Sequence, residues 1–305
     1  MFKIRRIFIH FVRFSSNYFS KYSRSQVSIY LVTLPCQILP SFLSTSLFAF
    51  SLLGWESNKK METTREKLSD DSDIVKYAEE LYLSKYEKEK EVEVVKSLHS
   101  YLSQYKDSSN PDILWRLARS CYDLSKLSIT EDAKKALTYE AHEIAKQALE
   151  NGKDNFSCHC WFAITLSEVG DYEGIKQKIS NAYKIQEHFK KAIELNPCDA
   201  TSYHLYGRWC FTIADVPWYQ RKIASAIFET PPSSTYEEAA EYFERAESVK
   251  ASFYSPNQLM IAKCYLRLNN KAKAKEWLEK LIKYDVQTEE DVLTVKEGEE
   301  LLGKC

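Results

Sequence analysis

The stretch HFKKAIELNPCDATSYHLYGRWC, His188 to Cys210, holds two helical patterns separated by Asn196-Pro197. Before the break, Phe189, Ala192, Ile193 and Leu195 recur at the steps of an amphipathic helix. Proline has no backbone donor and pushes its predecessor out of the helical region, so this helix ends at Asn196. A second helix starts by Ala200 and sets Tyr203, Tyr206, Gly207 and Cys210 on one face. A glycine inside a helix costs roughly 1 kcal/mol relative to alanine, so Gly207 needs a compensating contact. Close approach of a neighbouring helix would supply it.

The same face recurs along the chain. Leu114, Leu117, Ala118 and Cys121 repeat it, as do His159, Phe162, Ala163 and Leu166, and Gln258, Ile261, Ala262 and Tyr265, each with a small residue in the third slot. Partner helices repeat as Ala141, Ala145, Ala148; Ile185, Phe189, Ala192; Ala239, Phe243, Ala246; and Ala274, Leu278, Leu281. From a partner set to the next face there are 11 residues twice and 12 once, counted from Ala148, Ala192 and Ala246. This is the register of a tetratricopeptide-like helix-turn-helix, whose parent period is about 34 residues. We expect an all-α, right-handed superhelix of four helical pairs over residues 74–305, with KYAEELYLSKYEKEKEVEVVKSLHSYL as a preceding pair.

Departures from the period are informative. Between face and partner set the fourth repeat has 9 residues, like the parent motif, whereas the first three have 20, 19 and 29. Such insertions fall on one edge and are expected to build a binding face. The third should contain an extra helix from Trp218 to Phe228, on the spacing of Ile223, Ala224, Ile227 and Phe228.

Charge sets the N-terminus apart. Residues 1–55 carry six Lys/Arg and no acid, leaving 36 basic against 43 acidic residues, or −7, for the rest. Arg6, His10, Arg13, Asn17, Lys21 and Arg24 would form one polar stripe on a helix, with Ile7, Phe11, Phe14, Tyr18 and Tyr22 on another face. This composition reads as a mitochondrial targeting segment or the basic flank of an anchor. Residues 25–55 are uncharged and offer membrane association, although Pro35 and Pro40 interrupt a simple span. Residues 56–73 read as a polar linker.

Several function classes lose support. The eight cysteines form no C-x-x-C pair, and Cys158-His159-Cys160 has neither zinc-knuckle spacing nor a second ligand pair, so no metal or cofactor is expected. His99, His142, His159, His188 and His204 are scattered over helices without a nucleophile elbow or a phosphate loop, which argues against an enzyme. A net-acidic folded region argues against nucleic acid.

The insertion PWYQRKIASAIFETPPSSTYEEAAEYFERAE, with LWRLARSCYDLS and VGDYEGIKQKISNAYKIQEHFKKAIELNPCDAT, resembles the regulator of microtubule dynamics family over about residues 74–305. Pro217, Trp218, Tyr219 and Arg221, in the Pro217–Arg221 run, are its signature; a generic tetratricopeptide has no such run. The resemblance implies a non-enzymatic helical protein associated with microtubules and spindle poles, in the cytoplasm and cytoskeleton. Some relatives sit on mitochondria and are linked to lipid binding at contact sites. A two-phenylalanine acidic tract that tethers some relatives is half imitated by Glu241–Glu247, but Phe243 and Ala246 are core slots here.

In this register the residue after the small slot faces the concave groove, which selects Arg119, Ile164, Arg208 and Lys263. Trp115 and His204 lie one turn before the cations, and Tyr122 and Phe211 one turn after. The expected groove is a basic ladder with aromatic walls, suited to an acidic partner such as the glutamate-rich tails of tubulin, an acidic peptide or an anionic phospholipid head group. The bland alternative is that these cations pair with acids on adjacent helices. Two functions stay open: a microtubule-associated scaffold, and a mitochondrial lipid-binding, lipid-transfer or tethering module, which would need an enclosed apolar cavity.

Overall fold

The computed structural model describes residues 70–84, 91–228 and 230–305, and residues 69–305 form one compact unit. The N-terminal stripe, the uncharged segment and nearly all of the linker lie outside the described residues. Among the described residues every regular element is helical: α1 Asp71–Leu83, α2 Glu91–Leu102, a short 3-10 turn Ser103–Tyr105, α3 Pro111–Lys126, α4 Glu131–Asn151, α5 Phe156–Glu173, α6 Ile175–Leu195, α7 Ala200–Ala214, α8 Trp218–Ile227, α9 Tyr236–Val249, α10 Ser255–Arg267, α11 Lys271–Leu281 and α12 Glu289–Leu302. The A/B pairs of the repeats are α3/α4, α5/α6, α7/α9 and α10/α11, each packed along its length. Each B helix also packs on the following A helix, which makes the stack continuous.

Local signals set the helix ends. Asn110, Thr130, Asn155, Asp199, Thr235 and Asn270 each cap a helix start with a side-chain oxygen. Pro111 occupies the first turn of α3, where no amide partner is lost. The Asn196-Pro197 break ends α6 at Leu195, and Asp199 starts α7 at once through the Ser202 amide at 2.7 Å. Between α5 and α6 there is only Gly174, whose φ of 85° reverses the chain in a conformation that other residues rarely adopt.

The repeated slots are the core. Leu114, Ala118, Cys121, Ala163, Tyr206, Cys210, Ile261 and Ala262 are fully buried on the A helices, and Ala145, Ala148, Ala192, Ala239, Phe243, Ala246, Ala274, Leu278 and Leu281 on the B helices. The Gly207 puzzle resolves within its own repeat. A Cβ there would lie 2.9 Å from two ring carbons of Phe243, so the missing side chain is where the α9 phenylalanine sits. Phe243 and Ala246 are therefore helix core, and their acidic surroundings belong to a folded helix.

Two features differ from the expectation. The insertions of the first two repeats lie largely within lengthened helices, for α4 and α6 each run 21 residues. Only the third repeat carries a separate element, α8, whose span Trp218–Ile227 matches the expected helix to one residue. A further helix, α12, closes the stack by packing on both α10 and α11. It behaves as a fifth A helix, since a Cβ on Gly298 would meet Leu281 at 2.7 Å, the same close approach as at Gly207.

Candidate functional site

The groove candidates divide by their surroundings. Arg119 is buried, 3.3 Å from the Glu79 carboxylate of α1, with its guanidinium 3.4 Å above the Tyr82 ring. Arg116 shares the same carboxylate at 3.1 Å and stacks over Trp115 at 4.0 Å. Trp115 donates its indole N–H to Asp112 at 3.0 Å, so α1 and the first turn of α3 hold the first rung in place. At the far end Lys263 meets Glu297 of α12 at 2.8 Å, and burial holds its pKa below the usual lysine value. Lys126 and Glu168 bridge α3 to α5 at 2.6 Å, and Arg267 and Asp215 link α10 to the end of α7 at 2.9 Å. Ion pairs thus join α3 to α5, the end of α7 to α10, and α10 to α12.

His204 belongs to the interior. It is buried, its Nδ1 lies 2.9 Å from the Asn257 side-chain oxygen, and the rings of Phe243 and Tyr254 flank it. Burial, then the Arg208 charge, pushes its pKa down to about 3, so it is neutral at physiological pH.

The middle of the face is more open. Arg208, Ile164, Tyr122 and Phe211 are half-buried. The Tyr122 ring meets Trp161 edge-on at 5.7 Å, with the Lys126 ammonium 4.6 Å away. Burial and the Glu168 charge hold the Tyr122 hydroxyl well above the usual tyrosine value, while Arg208 pulls the other way. Phe211 packs edge-on against Tyr236 of α9 at 5.4 Å.

Of the signature residues, Trp218 and Tyr219 project outward, 70% and 37% exposed. Pro217 caps α8, and Arg221 donates to the Val216 and Ala214 carbonyls at 2.8 and 2.5 Å, tying α8 to the end of α7.

A cavity of about 690 Å³ opens beside Trp115, between α1, the start of α3 and the α4–α5 turn. Charged side chains of Glu79, Asp112, Arg116 and Lys153 line it together with the rings of Trp115 and Phe156. The sequence missed this space because α1 and the turn meet only in the fold.

The Cys-His-Cys stretch points three ways. Cys158 packs with Leu114, Trp115 and Ala148, Cys160 faces Ser202 at 3.4 Å, and His159 meets His188 at 2.8 Å. Among the described residues no cluster of three ligand side chains is assembled. Cys121 does approach His99, at 3.5 Å, but burial pushes its thiol up to about 12, as it does those of Cys158, Cys160 and Cys210. These thiols stay protonated and act as packing groups. No described helix is long and apolar enough to cross a membrane.

Similarity to known proteins agrees with this architecture. The family model for regulator of microtubule dynamics protein 1-3 matches residues 74–305. The chain is 49% identical over 269 residues to the Bos taurus regulator of microtubule dynamics protein 1, covering 86% of this chain and 82% of that one. It is 58% identical to the Homo sapiens protein 1 over 62% of this chain and 60% of that one. With the Xenopus laevis protein 3 it shares 40% identity over 63% of this chain and 41% of the relative. A crystal structure of a thermophilic TPR protein of Thermus thermophilus superposes with a TM-score of 0.52 at 12% identity, covering 76% of this chain and all of that one, which establishes the fold. On this evidence the chain, an all-α tetratricopeptide-like superhelix, belongs to the regulator of microtubule dynamics family.

Proposed function

We propose that this chain is a non-enzymatic scaffold in microtubule regulation, and that it holds an acidic partner segment on the A-helix face around Arg208. The carrying observation is that Arg208 stands at the half-buried middle of that face, one turn before the Phe211 ring, which packs on Tyr236. A guanidinium next to aromatic walls suits carboxylates, by charge-assisted hydrogen bonds and stacking. Arg119 and Lys263 pair with Glu79 and Glu297 and support the face at its two ends. The names of the relatives supply microtubules as the setting, and tubulin's acidic tails have the required chemistry. The cavity beside Trp115 is an open cleft with charged side chains at its wall, whereas a lipid tail needs an enclosed apolar chamber, which favours the scaffold over the lipid-transfer reading.

Cosedimentation of the full chain with microtubules and, separately, with anionic liposomes tests this. Arg208→Glu should weaken microtubule binding about tenfold or more at low salt, with the difference shrinking as salt rises. Binding equal to wild type defeats the reading, and a response confined to liposomes replaces it with the lipid module.

For location, the proposal is that residues 1–55 direct the chain to mitochondria through their cationic stripe. Arg6→Glu with Arg13→Glu should then leave a fluorescent reporter fused to this segment diffuse. Mitochondrial signal unchanged by the double substitution overturns it.

A further inference from the structure

Three exposed large aromatic side chains stand out among the described residues, Tyr183, Trp218 and Tyr219, and all three belong to the surroundings of the third insertion. Trp218 and Tyr219 open α8, and the Tyr183 hydroxyl of α6 donates to the Thr230 carbonyl just beyond the end of α8. Their setting is cationic. Helix α8 contains Arg221 and Lys222 and no acid, the Lys222 ammonium stands 5.3 Å over the Trp218 ring, and Lys184 is exposed beside Tyr183. Arg221 ties the helix to the end of α7, and Ala224 faces inward.

We propose that α8 is a docking surface for an acidic peptide segment of a partner protein, separate from the Arg208 face. Tryptophan, tyrosine and arginine are the residue types that dominate binding energy at protein interfaces, and here an exposed tryptophan and tyrosine stand side by side with two cations. Charge complementarity selects an acidic occupant, since Arg221 and Lys222 lie on a helix without a carboxylate. Length selects a short one: ten helical residues span about 15 Å, the reach of four or five extended residues. The outward face reads Trp218, Lys222, Ser225, alternating aromatic, cation and hydroxyl. The described outward side chains mix aromatic, cationic and hydroxyl groups, which suits an acidic peptide, and a membrane is the alternative that the vesicle arm below tests.

The test uses a fluorescein-labelled hexaglutamate peptide and the full chain carrying Arg208→Glu, so that the groove proposed above contributes nothing. In that background Trp218→Ala with Lys222→Glu should lower peptide affinity about tenfold, with the melting temperature unchanged because both side chains are exposed. The single substitution Lys222→Gln should give a smaller loss in the same direction and serves if the double variant folds poorly. Peptide affinity insensitive to these substitutions overturns the proposal, as does absence of peptide binding in their parent. Loss of binding to phosphatidylserine-containing vesicles in place of the peptide also overturns it, in favour of a membrane.

Discussion

Helices α7 and α8 are neighbours in the chain, both rich in tyrosine and tryptophan, and they meet opposite fates. On α7, Tyr203, Tyr206 and Trp209 are buried, and the Trp209 indole donates to the Ala182 carbonyl at 3.1 Å. On α8, Trp218 stands in solvent. Residue type does not separate them; partners do. Helices α6, α9 and α10 all come against α7, and the Gly207 gap admits Phe243 from α9, whereas among the described residues no helix packs as extensively on α8. A helix that leaves its tryptophan in solvent has that apolar surface available to another molecule.

The sharpest way to break this contrast is to fill the gap. Gly207→Leu should destabilise by about 3 kcal/mol, because even a Cβ collides with the Phe243 ring and a leucine forces the two helices apart. Urea unfolding measures it, and a loss under about 0.5 kcal/mol would show that α7 and α9 are loosely packed.

Acid probes the same helix through His204. Its folded pKa near 3 lies below the ordinary 6.5, so the unfolded chain takes up a proton that the fold refuses. Stability is therefore full above about pH 7 and falls as the pH drops from 6.5 towards 3, by about 2 kcal/mol between pH 7 and 5. His99, His142 and His188, also held down chiefly by burial, act in the same sense. His204→Gln should flatten the stability–pH profile over that range, and an unchanged slope would place His204 in contact with water.

Glu79→Ala should cost about 1–2 kcal/mol, since it strips the carboxylate from the buried Arg119 while leaving the Tyr82 ring over the guanidinium. Glu79 is itself a third exposed, which keeps the effect below that of a fully buried pair. The same unfolding experiment reads it, and a null result would make the α1 cover dispensable. The smallest effect belongs to α8, where Trp218→Ala should change stability by less than about 0.5 kcal/mol. A larger loss would mean that Trp218 packs on something.

These magnitudes track what the sequence could show. Slots such as Ala118, Ala163, Gly207 and Ala262 were legible because a small residue at a fixed step is a local pattern, and Asn196-Pro197 and the α8 span were legible for the same reason. Helix α12 was not, because its Gly298 stands alone without a following partner helix to complete the pattern. The longer α4 and α6 looked like insertions because a period counts residues and does not say whether the extra ones stay helical. The groove was only partly legible. Register selects Arg119, but nothing local announces Glu79, 40 residues away, so a position chosen for its exposure is buried in an ion pair. Trp218 was legible as a signature, while its exposure depends on which helices pack against it.

Backbone hydrogen exchange of the full chain, followed by mass spectrometry, compares α7 and α8 directly. Amides of α7, within residues 200–214, should open only with the repeat core, while those of α8, within 218–227, should exchange at least about tenfold faster through local opening. Equal protection of the two helices would contradict the account, because α8 would then be a packed part of the core.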